Sequence, residues 1–96
     1  MIKIVKLVTG EDIITEISAY PEKSTYELSS PASIVLQKTE QGVGVGLAAF
    51  MPYADGVVTL TESAVVAMGE PAVELRNEYS RLFGSGIQLM DSSLKL

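Results

Sequence analysis

The stretch from residue 32 to residue 51 constrains the fold most, because two apolar–polar alternations flank one polar turn. The alternating apolar residues are Ala32, Ile34, Leu36, Val43, Val45, Leu47, Ala49 and Met51. A period of two residues is typical of a β-strand with one buried face. The other face of the second arm carries Gly44, Gly46 and Ala48, which leave room for sharp bending or close approach of another backbone. The stretch therefore predicts a β-hairpin suited to a small, strongly bent barrel.

Further strand-like runs lie on both sides of this hairpin. Alternation and turn residues predict five strands, at residues 2–8, 13–19, 25–37, 43–51 and 64–68, with residues 57–60 extending the pairing. Apolar residues keep even parity from Tyr26 to Leu36, so one face is expected to continue past Pro31. Because proline cannot donate to a ladder, we expect the third strand to be bent or bulged near Pro31, with that proline at an edge.

A helix is predicted over residues 71–83. Pro71 suits a first helical position, and Gly84 is a natural stop after the last. Its predicted apolar stripe consists of Ala72, Leu75, Tyr79 and Leu82. Residues 85–96 then form a tail with a short apolar run at 87–90, and the whole chain, 1–96, is expected to be one domain.

Composition excludes several classes of function. The chain has no histidine and no cysteine, which removes the usual Ser-His, Cys-His and thiolate zinc sites. A net charge of -5 counts against broad electrostatic attraction to nucleic acid, so such binding must be local. No apolar run approaches the ~20 residues that span a bilayer, and the start lacks the pattern of a signal peptide. These features predict a cytoplasmic protein with no membrane segment.

Two short patterns resemble a nucleotide-binding motif and a metal site, but the residues around them argue against both interpretations. Residues 44–49 fit a dinucleotide-binding glycine pattern, but Pro52 would stop the helix that this motif requires. Glu11, Asp12 and Asp55 lack the dense oxygen-ligand spacing of a calcium loop, and we interpret them as turn formers. We therefore expect a curved strand at 44–49, no cofactor, no metal site and no enzymatic activity.

The loop after the second strand carries the most suggestive polar surface. Tyr20, Lys23 and Tyr26 lie within seven positions, and aromatic and cationic side chains stack on and pair with single-stranded nucleic acid. The alternative is purely structural: Tyr26 enters the core, Tyr20 caps the barrel and Lys23 is solvated. The residues alone favour this alternative.

The chain also resembles a known family. The glycine turn at residues 7–10, between two predicted strands and ahead of a long third one, resembles that of Sm-like (LSm) proteins. Residues 50–55 and 82–86 are similar to Sm-like proteins of cyanophage origin found among marine sequences. Three features depart from the family: residues 20–26 contain no Asp or Asn, Glu16 stands about where many members have glycine, and the helix follows the barrel.

The resemblance implies a five-stranded, strongly bent Sm-like (SH3-type) barrel with a C-terminal helix, assembled into a homo-oligomeric ring. It implies binding of RNA or single-stranded DNA in phage nucleic-acid processing, in the cytoplasm of the host cell. Tyr20 is the predicted stacking residue, Lys23 the predicted phosphate contact, and Tyr53 a further candidate because its loop often approaches the pore in such rings. The alternative is a phage structural or assembly module whose ring binds protein partners.

Overall fold

Strands dominate the computed structural model, which describes residues 1–83. In chain order the elements are β1 (Ile2–Leu7), β2 (Asp12–Tyr20), β3 (Thr25–Thr39), β4 (Gly42–Ala49), β5 (Val58–Thr61), β6 (Val65–Gly69) and α1 (Val73–Phe83). A first 3-10 turn (Pro21–Lys23) joins β2 to β3, and a second (Glu62–Ala64) joins β5 to β6. The predicted tail at 85–96 lies outside the described residues. The predicted mainly β fold with a C-terminal helix is confirmed.

The six strands of residues 1–83 form one antiparallel sheet, in the order β4–β3–β2–β1–β6, with β5 also paired to β3. Both β4 and β5 lie on the edge of β3 opposite β2: β5 pairs along its first residues and β4 along its second half. The predicted count of five strands is wrong, because the segment expected only to extend the pairing is a strand of its own.

A β-bulge interrupts the pairing of β2 with β3. Ile14 pairs with Ala32 but Glu16 pairs with Ser29, so one β2 residue faces two residues of β3. Ser30, in the bulge, adopts a left-handed backbone with φ of 51°. The predicted irregularity near Pro31 is therefore confirmed. Two related expectations are wrong: Pro31 does not lie at an edge, because it is buried in a strand that has partners on both sides, and the apolar face is not continuous. The extra residue makes even positions point to opposite sides of the sheet before and after the bulge.

The first of two apolar clusters, here called the strand cluster, fills the concave side of the sheet. Its buried members are Val5, Leu7, Ile13, Ile17, Leu28 and Val58, and Tyr26, Phe50, Leu60 and Val65 pack around them. Since β6 pairs with β1, β5 pairs with β3, and only three residues join β5 to β6, the sheet curves around this cluster. Burial of these side chains is the main favourable contribution to folding.

The second, here called the helix cluster, lies between the other side of the sheet and α1. Its members are Ile14, Ala32 and Tyr79, surrounded by half-buried Ile2, Ile4, Ile34, Leu47, Leu75 and Phe83. The helix begins at Val73, two residues later than predicted, and the carbonyl of Ala72 accepts its first bond from the Arg76 N–H. Ala72 and Leu82 are exposed, contrary to the predicted stripe. The docked face repeats every four residues, at 75, 79 and 83.

Tyr79 ties α1 to the bulge. Its hydroxyl oxygen lies 3.1 Å from the Glu16 backbone nitrogen, whose N–H it accepts. It also lies 2.9 Å from the Ser30 carbonyl oxygen and 3.1 Å from that of Ser29, to which it donates. Burial raises the pKa of the Tyr79 phenol above its ordinary value. The hydroxyl therefore satisfies backbone groups that the irregular pairing leaves without strand partners.

Beyond the bulge, the β3–β4 hairpin extends past the rest of the sheet. The last pair of β2 with β3 is Ile13 with Ser33, so residues 35–46, here called the arm, contain two strands only. On one face of the arm Leu36, Val43 and Val45 are 73%, 66% and 53% exposed. On the other face the Gln37 side chain lies over Gly46, where an added Cβ would come within 2.6 Å of its Nε2 atom. The predicted hairpin is confirmed, yet half of it lies outside both clusters.

Candidate nucleic-acid interface

The first 3-10 turn is determined by its own residues. Pro21 at its start has the fixed φ that a helical first position needs. Ser24 ends it in a left-handed conformation, with φ of 55°, and donates its N–H to the Pro21 carbonyl across 3.0 Å. This tight ending directs the chain back into β3 directly after Lys23.

The second 3-10 turn lies beside the first. Thr25 of β3 pairs with Thr61 of β5, and the Glu62 N–H donates to the Ser24 carbonyl across 3.0 Å. The two turns are almost forty residues apart in sequence, and the β3–β5 pairing brings them together. The only sequence signal for this contact was the short run at 57–60, whose partner strand the alternation did not identify.

A groove of about 600 Å³ lies between the two turns, and we call it the hydroxyl groove. Its lining residues are Lys23, Ser24, Thr25, Thr61, Glu62 and Ser63. Four hydroxyl groups both donate and accept hydrogen bonds, the Lys23 ammonium only donates, and the Glu62 carboxylate only accepts. This combination suits a ligand that carries both hydroxyl groups and an anionic group.

Tyr20 stands next to this groove and is half-buried. The Lys23 Nζ atom lies 5.8 Å from the centroid of the Tyr20 ring, which is within cation–π range. Two of the three predicted site residues are thus brought together, with an aromatic face and a positive charge on the same turn. Glu62 and Ser63 join them, and sequence reasoning missed both.

Tyr53, the third predicted site residue, lies elsewhere. Its side chain is 99% exposed and lines a separate surface pocket with Phe50, Met51, Pro52 and Ala54, none of which lines the hydroxyl groove. The structure therefore does not place Tyr53 beside Tyr20 and Lys23. Tyr26 packs against the strand cluster, so the structural alternative is confirmed for that residue.

The structure also shows where the glycine pattern and the acidic turn residues lie. The glycine-rich residues 44–49 lie within β4, which confirms the strand interpretation. Asp12 pairs with Lys6 across 3.0 Å, and Asp55 precedes Gly56, whose φ is 78°. Within residues 1–83, no group of three acidic, histidine or cysteine residues is arranged to hold a metal ion. No helix of the described part is both long and apolar enough to cross a bilayer.

Comparison with known proteins leaves the geometry as the basis for any assignment. Neither a protein-family model nor a curated protein matches this sequence.

Proposed function

We propose that this protein is an Sm-like homo-oligomeric ring that binds RNA or single-stranded DNA in phage nucleic-acid processing. One observation carries the proposal: two turns distant in sequence form the hydroxyl groove beside Tyr20 and Lys23. The curved sheet supports it through a long β3 bent near its middle and a 3-10 turn ahead of the last strand. The bulge lies opposite Thr15, next to Glu16, the position at which many members of the family carry glycine.

Assembly would use the two ends of the sheet. Within the described residues, β4 and β6 each have one edge without a strand partner. Unpaired edges invite pairing with another chain, and a repeated head-to-tail contact closes into a ring when its rotation allows. Pairing β4 of one copy with β6 of the next would satisfy both edges. A ring would also repeat every groove once per subunit.

Ligand binding would divide among the residues of the groove. A base would stack on the Tyr20 ring, as on other aromatic platforms for single strands. A neighbouring phosphate would contact the Lys23 ammonium, and sugar hydroxyls would bond to Glu62 and Ser63. One lysine per groove is a weak attraction for a protein of net charge -5. Repetition around a ring compensates, because each phosphate contact adds to the salt-dependent affinity.

The charge distribution favours a second candidate, a phage structural or assembly module whose ring binds protein partners. Lys23 is flanked in sequence by Glu22 and shares its groove with Glu62, so positive potential there is limited. Acidic surfaces repel phosphate backbones but not proteins in general. Loss of nucleic-acid binding with assembly intact would support this second candidate.

Two measurements test the proposal. Light scattering at micromolar concentration is expected to show a closed oligomer of several subunits, and a stable monomer would contradict the ring. Titration with short U-rich RNA and oligo-dT at two salt concentrations is expected to show binding that weakens with salt. Absence of binding by the wild-type protein at low salt would rule out the nucleic-acid function.

Variants assign the binding to the groove. Tyr20→Ala is expected to weaken binding about tenfold or more, since a lost base stack costs ~1 to 3 kcal/mol. Lys23→Ala should mainly reduce the salt dependence. Tyr53→Ala tests the third candidate residue, which is 99% exposed and lies outside the groove. Unchanged affinity would confine binding to the groove, whereas a loss of affinity would show that the loop of Tyr53 also contacts the nucleic acid.

A further inference from the structure

A second groove lies between α1 and the arm. It has a volume of about 490 Å³ and is lined by Ile34, Val45, Ala72, Glu74, Leu75 and Glu78. We call it the helix groove. It shares no residue with the hydroxyl groove, and nothing in the nucleic-acid proposal uses it.

The floor of the helix groove is an open continuation of the helix cluster. Ile34 and Leu75 are half-buried against that cluster, whereas Val45 is 53% exposed. Its pair partner Leu36 is 73% exposed on the same face, so the apolar surface extends along the arm. Contiguous exposed apolar surface rimmed by polar residues is typical of an interaction site.

The rim of the groove is acidic. Glu74 and Glu78 lie one helical turn apart on α1, and both line the groove. The Glu78 carboxylate forms an ion pair with Arg81, whose Nη2 atom lies 2.6 Å from its Oε2 atom. Glu74 forms no ion pair with another residue of the described part, so its negative charge is available to a cationic group of a ligand in the groove.

We propose that the helix groove binds a short peptide segment of a protein partner that carries apolar side chains flanked by lysine or arginine. Charge complementarity selects this occupant: the apolar residues cover Ile34, Val45 and Leu75, and the flanking cation pairs with Glu74. The proposal is independent of nucleic-acid binding.

The test uses the full chain labelled with nitrogen-15 and blocked pentapeptides followed by NMR. Lys-Leu-Val-Leu-Lys is expected to shift amides of α1 and the arm in a saturable way. Glu-Leu-Val-Leu-Glu and Lys-Ser-Thr-Ser-Lys should bind at least about fivefold more weakly, because each lacks one of the two contacts. Equal binding of all three peptides, or shifts that map outside the groove, would overturn the proposal.

Matched pairs of variants distinguish binding in the helix groove from nonspecific effects of surface charge and of exposed apolar side chains. Glu74→Gln should weaken the first peptide about two- to fivefold, the range of one exposed ion pair, and Asp55→Asn should not. Val45→Ser should weaken it about fivefold or more, and Val8→Ser, at a similarly exposed valine, should not. Equal effects of variant and control in either pair would overturn the assignment.

Two other occupants are distinguished by the same titration. If Ile87→Ser with Leu89→Ser raises peptide affinity, the run at 87–90, which lies outside the described residues, competes for the groove. If the peptide dissociates an oligomer, the groove is a contact between copies. Either result would overturn the assignment to a separate partner.

Discussion

The two ends of β3 carry the same alternation of apolar residues, but the apolar side chains are buried at one end and exposed at the other. At the first end Leu28 is fully buried, because β2 and β5 pair on either side of it and the sheet curves over it. At the second end Leu36 is 73% exposed, because β4 is its one strand neighbour among the described residues. Alternation therefore shows that a strand has an apolar face, but neighbouring elements decide whether that face is covered.

The most direct test of this difference in burial is to truncate a leucine to alanine at each end of β3. Leu28→Ala should lower the free energy of unfolding by about 2 to 5 kcal/mol, through lost burial and a residual cavity. Leu36→Ala should change it by less than about 0.5 kcal/mol, as at other exposed sites. Urea denaturation of the two variants measures both values. Equal losses would mean that the arm is covered, for example by assembly.

The bulge between the two ends provides the next largest effect. Tyr79→Phe keeps the ring in the helix cluster but removes the hydroxyl that bonds to Glu16 and Ser30. Leaving these partly buried backbone groups without partners should cost about 1 kcal/mol, the lower end of the range for buried groups. Thr15 still donates to the Ser29 carbonyl across 3.2 Å, which limits the loss.

Tyr53→Phe is the matched control for this variant, since Tyr53 is almost fully exposed. It should leave the free energy of unfolding unchanged within about 0.5 kcal/mol.

A second measurement on Tyr79→Phe is amide hydrogen exchange, which should accelerate at the Glu16 amide. A stable variant with unchanged exchange at Glu16 would show that the bulge holds its shape without α1.

The strands and the helix were predictable because each depends on local pattern. Predicted strand ends lie within about two residues of the observed ones, as expected where alternation and turn residues coincide. The change of face at Ser30 was not predictable, because parity continues through the bulge in sequence while the backbone inserts one residue in space. The helix stripe was misplaced for a related reason: Phe83, rather than Leu82, lies four residues beyond Tyr79 and reaches the sheet.

The candidate site divides in the same way. Tyr20 and Lys23 were predictable as a pair because they share one short turn. Glu62 and Ser63 were missed because their approach depends on the pairing of β5 with β3, a long-range contact that alternation cannot identify. Tyr53 was included through family resemblance, which applies to a fold more securely than to individual residues.

The smallest expected effect concerns the charged contact that also joins α1 to the sheet. The Glu70 carboxylate pairs with Lys3 of β1, and its other oxygen lies 3.5 Å from Arg76 of α1. The hydrogen bond from Lys3, then the positive charges of Lys3 and Arg76, lower the pKa of Glu70 from its ordinary value. A lowered pKa in the folded state stabilises the protein above the unfolded value, and this contribution is lost as pH falls through the lowered pKa.

Glu70→Gln should therefore flatten the fall in melting temperature between about pH 5 and pH 3, with little change at high salt, where exposed ion pairs are screened. Glu40→Gln is the matched control, because Glu40 is exposed in the turn between β3 and β4, outside α1, and forms no ion pair with another residue of the described part; this variant should unfold with acid as the wild type does. The effect should be smaller than that of Tyr79→Phe, since Glu70 is exposed and Tyr79 is buried. If Glu70→Gln and Glu40→Gln flatten the fall in melting temperature equally, general surface charge rather than the Lys3 contact governs the acid stability. If Glu70→Gln lowers the melting temperature at neutral pH more than Tyr79→Phe does, the charged contact, not the buried hydroxyl, is the main link between α1 and the sheet.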